Sequence, residues 1–470
     1  MLFLFAFIID DEVIVMKNVR TAFPAISARF LRFLPSFISS SVPSFSAPSP
    51  FALASFVLAG LMFLTAFSEP ALAQADFHIG LMTGTVSAAE DSLRGAESLI
   101  NRYGSAENGG MILHVTYPDQ FISEMETTIG QIVGLADDPK MKAIVVSHGI
   151  PGTTEGFRRV RERRPDILLF VGEAHEDLNV VASAADLVVN ADSFSRGYLI
   201  PLAAKEVGAK NFVHISFPRH MSFETLGRRR AIMEEACRDL GLSFYAESAP
   251  DPLSDVGVAG AQQFILEKMP VWLKKYGRDT AFLCTNYTHI EPMLMRVIEQ
   301  GGYVVDLFSP IMGLPGALGI DLSREKGNWP AILKKVERFV VEAGAGGRIG
   351  TGAFSYDYTN VVALAEFGKR CIEGKARLES LTDLRACYEL HTPGAHWSAI
   401  HYVDAGTGIR LKNVVLVNQD IYILGRGYFG ITETKVPEKY FRIGAFPRRS
   451  DGANAVGRSE ERRVGKECRS

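Results

Sequence analysis

Short apolar runs alternate with longer amphipathic stretches from Asp76 onwards. The runs are nearly continuous in apolar character and rich in β-branched residues, which is typical of strands buried on both faces of a parallel sheet. The stretches between them repeat apolar residues at helical spacing. We therefore predict nine strands, at 77–82, 111–116, 143–147, 167–172, 187–190, 212–217, 243–246, 280–285 and 303–308.

Nine strands are too many for one compact sheet, and five of them precede residue 193. The pattern predicts an α/β fold of two Rossmann-like lobes with parallel sheets and a cleft between them. The predicted first lobe is 74–192 with part of 311–370, and the second is 193–310 with part of 371–440. We also expect strands at 414–417 and 421–424, paired as a hairpin, and a flexible connection through the glycines of 344–352.

The N-terminal region has the pattern of a secretory signal. The apolar run 51–67 is followed by the small-x-small triplet Ala71–Ala73, and basic residues lie upstream. Residues 1–73 are therefore predicted to be a signal region that is cleaved after Ala73. A membrane anchor is the alternative, but it usually needs about 20 apolar residues. Initiation at Met16 would give a signal of more usual length.

Composition and the absence of certain motifs argue against several classes of function. The formal net charge is −3 over 470 residues, and no long basic stripe suggests nucleic acid as a partner. The sequence lacks G-x-S-x-G, H-E-x-x-H and a phosphate-binding loop. We therefore predict no catalytic residue, no cofactor and no metal site. The charged segment 441–470 lacks periodicity and is expected to be a disordered tail, a composition that also fits a non-native extension.

Two further expectations concern cysteine and arginine residues. Export permits disulfides, and Cys371 and Cys387 lie close enough along the chain to be predicted as a bridge. Arg228–Arg230 fall largely off the apolar stripe of their helix, so we expect them on a solvated face.

Candidate ligand-binding residues follow the predicted strands. Ligands of open α/β sheets bind beyond the carboxyl ends of the strands, and two facing lobes would place both sets of loops around one cleft. For several of these residues, capping a helix or forming a turn is an equally good explanation. The candidates are Thr83, Gly84, Thr85, Ser147, His148, Thr153, Glu173 and Asp192 in the first lobe, and Arg219, His220, Ser222, Asp251, Asn286 and Tyr287 in the second.

Arg219 and His220 are the strongest of these candidates. They follow an apolar strand and directly precede a helix. Helix N-termini attract anions, and a guanidinium group binds a carboxylate or phosphate with two hydrogen bonds. This segment therefore favours an anionic ligand, unless Arg219 pairs with an acidic side chain of the facing lobe.

Several segments resemble a known class of protein. The segments 138–146, 151–153 and 164–169 resemble the first lobe of type I periplasmic binding proteins. The segments 213–222, 249–257 and 315–319 resemble an uncharacterised bacterial family of exported proteins with that fold. The resemblance covers roughly residues 76 to 400, and it implies a fold and an extracytoplasmic location but no ligand.

The hypothesis that follows is an exported solute-binding protein that closes on a small polar ligand, with a membrane transporter or sensor as its partner. Two alternatives stay open. One is an exported enzyme that uses a histidine and an aspartate of the same cleft as acid and base. The other is a signalling or interaction protein.

Overall fold

The structure, a computed structural model, describes residues 74–404 and 407–444 and two short N-terminal strands. These strands, β1 (Ala6–Ile9) and β2 (Glu12–Val15), pair antiparallel. They belong to a unit formed by residues 1–71, and the rest of the chain forms a second unit. Of the predicted signal region 1–73, the apolar run and the cleavage site lie outside the described residues, and so does the predicted tail 441–470 from residue 445 onwards.

All nine predicted strands are present in the second unit. Seven further strands complete the described sheets, including β1 and β2. In chain order the strands of the second unit are β3 (His78–Thr83), β4 (Ile112–Thr116), β5 (Met141–Val146), β6 (Leu168–Gly172), β7 (Leu187–Ala191), β8 (Asn211–Ser216), β9 (Ser243–Ser248), β10 (Thr280–Cys284), β11 (Val304–Leu307), β12 (Ile349–Gly352), β13 (Trp397–Val403), β14 (Arg410–Gln419), β15 (Ile421–Ile423) and β16 (Gly427–Tyr428).

The first lobe is a seven-stranded sheet in the order β13-β14-β7-β6-β5-β3-β4. Strands β3 to β7 are parallel to their neighbours, and β14 continues the sheet parallel to β7. Only β13 runs antiparallel. The side chains of β5 and β6 are largely buried, as expected for strands that helices cover on both faces.

The sheet of the second lobe has the same strand order as that of the first, built from later strands of the chain. The sheets β10-β8-β9 and β11-β12-β15-β16 are linked by a parallel bridge between Ala281 and Tyr303. The resulting order is β9-β8-β10-β11-β12, followed by two antiparallel strands. The predicted fold class, two Rossmann-like lobes with parallel sheets, is confirmed.

Helices connect the strands and cover the sheets. Two of them, α1 and α12, pack together on one face of the first sheet, and α5 and α7 pack together beside the second. The helices are α1 (Val86–Tyr103), α2 (Met125–Leu135), α3 (Thr153–Arg163), α4 (Leu178–Ala182), α5 (Ser193–Val207), α6 (Pro218–Met221), α7 (Glu224–Leu240), α8 (Gly257–Tyr276), α9 (Tyr287–Gln300), α10 (Leu314–Leu318), α11 (Trp329–Glu342), α12 (Tyr356–Ile372) and α13 (Leu381–His391). Within the described part of the chain, no helix has the length and apolar character needed to cross a membrane.

Two expectations about the returning segments are wrong. Strands β14 and β15 do not form a hairpin, because β14 joins the first sheet and β15 joins the second. The glycines near residue 350 do not form a flexible connection, because β12 is a fully buried strand. A Cβ atom at Gly350 would lie 2.3 Å from the carbonyl oxygen of Val305, so glycine permits β12 to pack closely against β11.

The arginine prediction is also wrong. Arg228 and Arg229 are 1% and 5% exposed. The guanidinium of Arg228 donates hydrogen bonds to the carbonyl oxygens of Phe441 and Ile443 and lies 4.1 Å from the centre of the Phe194 ring. The first residues of the predicted tail, 441–444, are therefore held against α7, because backbone carbonyls satisfy a buried cation.

Cys371 and Cys387 are both free thiols, and the disulfide predicted between them is not formed in this structure. Cys371 lies near the end of α12 and Cys387 within α13. Proximity along the chain does not decide whether two sulfur atoms meet, because that depends on how the two helices pack.

Candidate functional site

Three chain crossings join the lobes within residues 74–404 and 407–444. They lie at Asp192, between β12 and α12 near Phe354, and at Asp420. Asp192 donates its N–H to the carbonyl of Val417 at 2.8 Å. The side chain of Gln419 both accepts from and donates to the backbone of Phe354, each at 3.0 Å. The crossings are thus hydrogen-bonded to one another and form one connection beside the cleft.

A cavity of about 330 Å³ lies next to these crossings and is bounded by both lobes. This volume lies at the lower end of the range usual for small-molecule sites. The first lobe contributes acidic side chains, and the second contributes mainly apolar and aromatic ones. The lining residues are Asp91, Glu173, Ala191, Tyr287, Phe308, Ser309, Ile311, Met312, Ser355, Tyr356 and Asp357.

Strand ends and helix starts place these side chains. Glu173 directly follows β6 and Phe308 directly follows β11. The Ser355 hydroxyl accepts a hydrogen bond from the N–H of Tyr358 and so caps α12, which puts Tyr356 and Asp357 in its first turn. Asn286 caps α9 in the same way and places Tyr287 at the start of that helix. The site therefore lies at the carboxyl edges of both sheets.

Glu173 is held in an unusual conformation. It is the only non-glycine residue with a positive φ, +33°, in the described part of the chain. Its Oε2 atom accepts a hydrogen bond from the N–H of Ala191 at 3.0 Å. Backbone strain of this kind persists where surrounding contacts impose it, and it is frequent at functional sites.

Burial dominates the electrostatics of two acidic side chains. It raises the pKa of Asp91 to about 6, against a hydrogen bond with Ser355 that lowers it. Burial also raises the pKa of Glu173, despite the hydrogen bond from Ala191. Neither carboxylate forms an ion pair with any described residue. Both therefore lose hydration without gaining the partner that normally compensates a buried charge.

The third carboxylate, Asp357, has a partner. Its Oδ1 atom lies 3.3 Å from Nε2 of His148. Burial acts to lower the pKa of His148, but the Asp357 and Glu173 carboxylates raise it above its usual value. Burial acts to raise the pKa of Asp357, and His148 overrides that effect and lowers it. Each group therefore favours the charged form of the other.

A buried ion pair supports the second-lobe wall. Arg196 of α5 bonds to Asp306 of β11, and its guanidinium carbon lies 3.9 Å from the centre of the Phe308 ring. The Arg196 charge is therefore paired with Asp306, and its guanidinium carbon also lies 5.7 Å from the centre of the Tyr356 ring. Among the described residues that line the cavity, none is a lysine or an arginine.

Four predicted site residues lie at or beside the cavity. Glu173 and Tyr287 line it. His148 lies behind Asp357, and its Nδ1 atom is 3.1 Å from the hydroxyl of Ser147. These residues come from loops after β5, β6 and β10, so the reasoning from strand ends brought them together correctly. Their role in binding stays a prediction.

The other first-lobe candidates have structural partners and do not line the cavity. Thr83 is buried, and its hydroxyl lies 2.8 Å from Nε2 of His114. Thr85 caps α1 and bonds to Asp119, and Gly84 donates its N–H to Ser92. Thr153 donates to the carbonyl of Ile150. Asp192 caps α5.

The second-lobe candidates Arg219, His220, Ser222 and Asp251 form a separate cluster. Arg219 makes two hydrogen bonds to Asp251, at 2.6 and 2.8 Å, so its guanidinium fork is occupied by a side chain of its own lobe and not of the facing lobe. His220 lies 3.1 Å from the hydroxyl of Thr285, and Ser222 donates to the carbonyl of Arg219. None of these residues lines the cavity.

Sequence reasoning did not identify most of the remaining lining residues. Asp91 lies inside α1, where no motif distinguishes it from other acidic helix residues. Phe308 and Ser309 lie at the carboxyl end of the predicted strand 303–308. Searching that strand end for ligand-binding residues, as was done for the other strands, would have found them. Across the described residues, no group of three or more potential ligands could hold a metal ion.

Comparison with known proteins places the chain in a family. A family model described as "Protein of unknown function (DUF3798)" matches residues 77–350, and a second family model matches residues 361–443. Two uncharacterised proteins of Treponema pallidum (strain Nichols) are 47% identical over 179 residues and 38% identical over 218 residues. These alignments cover 38% and 46% of this chain, and 81% and 100% of the relatives.

Solved structures share the fold at low sequence identity. A candidate transcriptional regulator from Clostridium difficile 630 superposes with a TM-score of 0.67 at 22% identity, over 74% of this chain and 99% of that one. A sugar ABC transporter protein from Actinomyces odontolyticus gives a TM-score of 0.46 at 11% identity, over 77% of this chain and 98% of that one. At such identities the likeness concerns the fold alone.

Proposed function

Given that the chain belongs to the DUF3798 family, we propose that it is an exported solute-binding protein that closes on a small polar ligand between its lobes. The observation that carries the proposal is the cavity of about 330 Å³ bounded by loops of both lobes. Because ligand would contact both lobes only when they close, binding would shift the population toward the closed form. The apolar run 51–67 and the triplet Ala71–Ala73 support export.

The partner of such a receptor would be a membrane transporter or sensor. Two lobes joined by three adjacent crossings present one outer surface when open and another when closed. A membrane protein that binds the closed surface would register the bound ligand. Nothing in the cavity calls for a cofactor, and the proposal includes none.

Thermal unfolding of the full-length chain tests the proposal. Sugars, amino acids, nucleosides, amines and carboxylates would be screened, and a ligand at 100 times its Kd should stabilise the fold by about 2.7 kcal/mol. Tyr287→Ala removes a second-lobe contact and should abolish that shift. Tyr245→Ala, an exposed tyrosine on the edge strand β9, is the control and should keep it. A ligand that stabilises both variants as much as the parent would place binding outside the cavity.

One observation favours an exported enzyme as the second candidate. The His148–Asp357 pair lies at the cavity wall, and such a pair can act as acid and base. Mass spectrometry of a stabilising ligand after incubation with the protein separates the two functions. A receptor returns the ligand unchanged. An enzyme converts it, and His148→Ala would stop the conversion while leaving binding measurable.

A further inference from the structure

The walls of the cavity carry an unbalanced negative charge. Three carboxylates line it, those of Asp91, Glu173 and Asp357. His148 balances Asp357 at 3.3 Å, but no described cation forms an ion pair with Asp91 or Glu173. A buried carboxylate is usually paired, hydrogen-bonded or bound to a metal. The cavity therefore has two acceptor groups without a cation at ion-pair distance, although the more distant charges of His148 and Arg196 act on Glu173.

The hydrogen-bonding capacity of these two groups is also incompletely used. The Oε2 atom of Glu173 accepts the N–H of Ala191, while its Oε1 atom has no hydrogen-bond partner among the described residues. For Asp91, Ser355 is the neighbour that offers a hydrogen bond. A ligand with several N–H donors on one positively charged group would satisfy both carboxylates at once.

The other lining residues suit the carbon skeleton of such a ligand. Phe308, Ile311 and Met312 provide apolar surface, and Tyr287 and Tyr356 add aromatic rings. Aromatic faces attract cations as well as apolar groups. The small volume of the cavity limits the ligand to roughly the size of an amino acid or a short diamine.

We propose that the cavity selects a small primary amine, whose ammonium group donates hydrogen bonds to Asp91 and Glu173 while its carbon chain contacts Phe308 and Met312. This inference rests on the proposed receptor function and names the ligand class of that same site. It replaces the anionic ligand expected from the sequence, because Arg219 is occupied by Asp251 and lies outside the cavity. A neutral sugar would leave two partly buried carboxylates without a cation.

A matched series of probes tests the ligand class. Primary amines and diamines of two to six carbons would be titrated calorimetrically into the full-length chain at pH 8, beside the alcohols and carboxylates of the same chain length. Choline tests whether a quaternary cation without N–H donors suffices. At least one amine should bind 10-fold or more tightly than its alcohol, its carboxylate and choline. Amines that bind no better than their alcohols would overturn the inference.

Isosteric variants test whether Asp91 and Glu173 bind the amine. Asp91→Asn and Glu173→Gln each remove one charge without changing side-chain size, and each should weaken amine binding by roughly 10- to 100-fold, the effect of losing one charge-assisted hydrogen bond. Asp279→Asn is the matched control, since it removes the same charge from an exposed pair with Lys210 at the opposite end of β10. Amine affinity that is unchanged in both cavity variants would also overturn the inference.

Failure of the ligand class and failure of the receptor function give different results. If an alcohol or a carboxylate binds instead and Tyr287→Ala abolishes that binding, the receptor function stands and the amine inference is wrong. If neither the series nor the wider panel of sugars, amino acids and nucleosides stabilises the parent chain, both are wrong.

Discussion

Asp91 shows how one residue can link stability to a binding site. It lies on α1 in the cavity wall, and burial raises the pKa of its carboxyl group from 3.8 to about 6. The folded protein therefore holds a proton on this group more tightly than the unfolded chain does. Well below pH 3.8 the group is protonated in both states and has no effect on stability. As the pH rises from 3.8 to about 6, the unfolded chain loses this proton before the folded protein does, so stability falls over that interval and stays at the lower value above it.

We predict that Asp91→Asn stabilises the ligand-free protein much more at pH 8 than at pH 4, because pH 4 lies close to the unfolded pKa of 3.8. A difference of about two pKa units corresponds to about 2 to 3 kcal/mol. Urea unfolding at both pH values measures the difference from the parent chain, and Asp279→Asn serves as the matched control at an exposed position. Equal stability of Asp91→Asn and the parent at pH 8 would show that burying the ionised Asp91 side chain in the empty cavity does not lower the free energy of unfolding.

The second-lobe candidates illustrate the limit of reasoning from single residues. An Arg directly after an apolar strand and before a helix fits an anion site, and the structure does place Arg219 at that strand end. Its two bonds to Asp251 depend on a loop 32 residues further along the chain. Local sequence indicates which groups lie at a strand end but not which of them are already paired.

At the scale of elements, β12 departs most from its sequence pattern. Its glycines resemble a linker, and the strand was not predicted. In the structure it is buried between β11 and β15, and a Cβ at Gly350 would clash with backbone at 2.3 Å. The absence of a side chain is thus a packing requirement of the sheet and not a source of flexibility.

Gly350→Ala should therefore destabilise the second lobe. Because the clash is with the backbone of Val305, the strands must separate, and we expect a loss of about 1 to 3 kcal/mol, as for overpacked cores. Gly130→Ala in α2 is the control, since a Cβ there meets no atom within 4 Å, and alanine favours a helix. Urea unfolding followed by circular dichroism compares the two. Similar midpoints for both variants would contradict this account of β12.

At the scale of the whole molecule, the three crossings determine how the lobes can move. They lie side by side and are hydrogen-bonded through Gln419 and Phe354. A connection of this kind permits rotation of the lobes about one region while each sheet stays intact. The cavity lies next to this region, so under the proposed receptor function a ligand there would favour the closed form.

Small-angle X-ray scattering should detect that closure. We predict a smaller radius of gyration for the full-length chain when a stabilising ligand saturates it, because both lobes then contact the same molecule. Tyr287→Ala measured at the same ligand concentration should keep the larger value. An unchanged radius of gyration at saturation would mean that ligand enters a rigid pocket.

The amino-acid sequence by itself determined the nine strands, the helices between them and their division into two α/β lobes. The reason is that a buried strand is recognisable as a short run of apolar residues. It also identified strand ends, and so reached Glu173, His148 and Tyr287. Only the tertiary structure decided that β14 and β15 join different sheets and that Arg228 is buried. It also decided that Asp91, Glu173 and Asp357 meet Phe308 across one cavity. The physical reason is that burial and charge pairing depend on neighbours brought together by packing, and those neighbours come from distant segments.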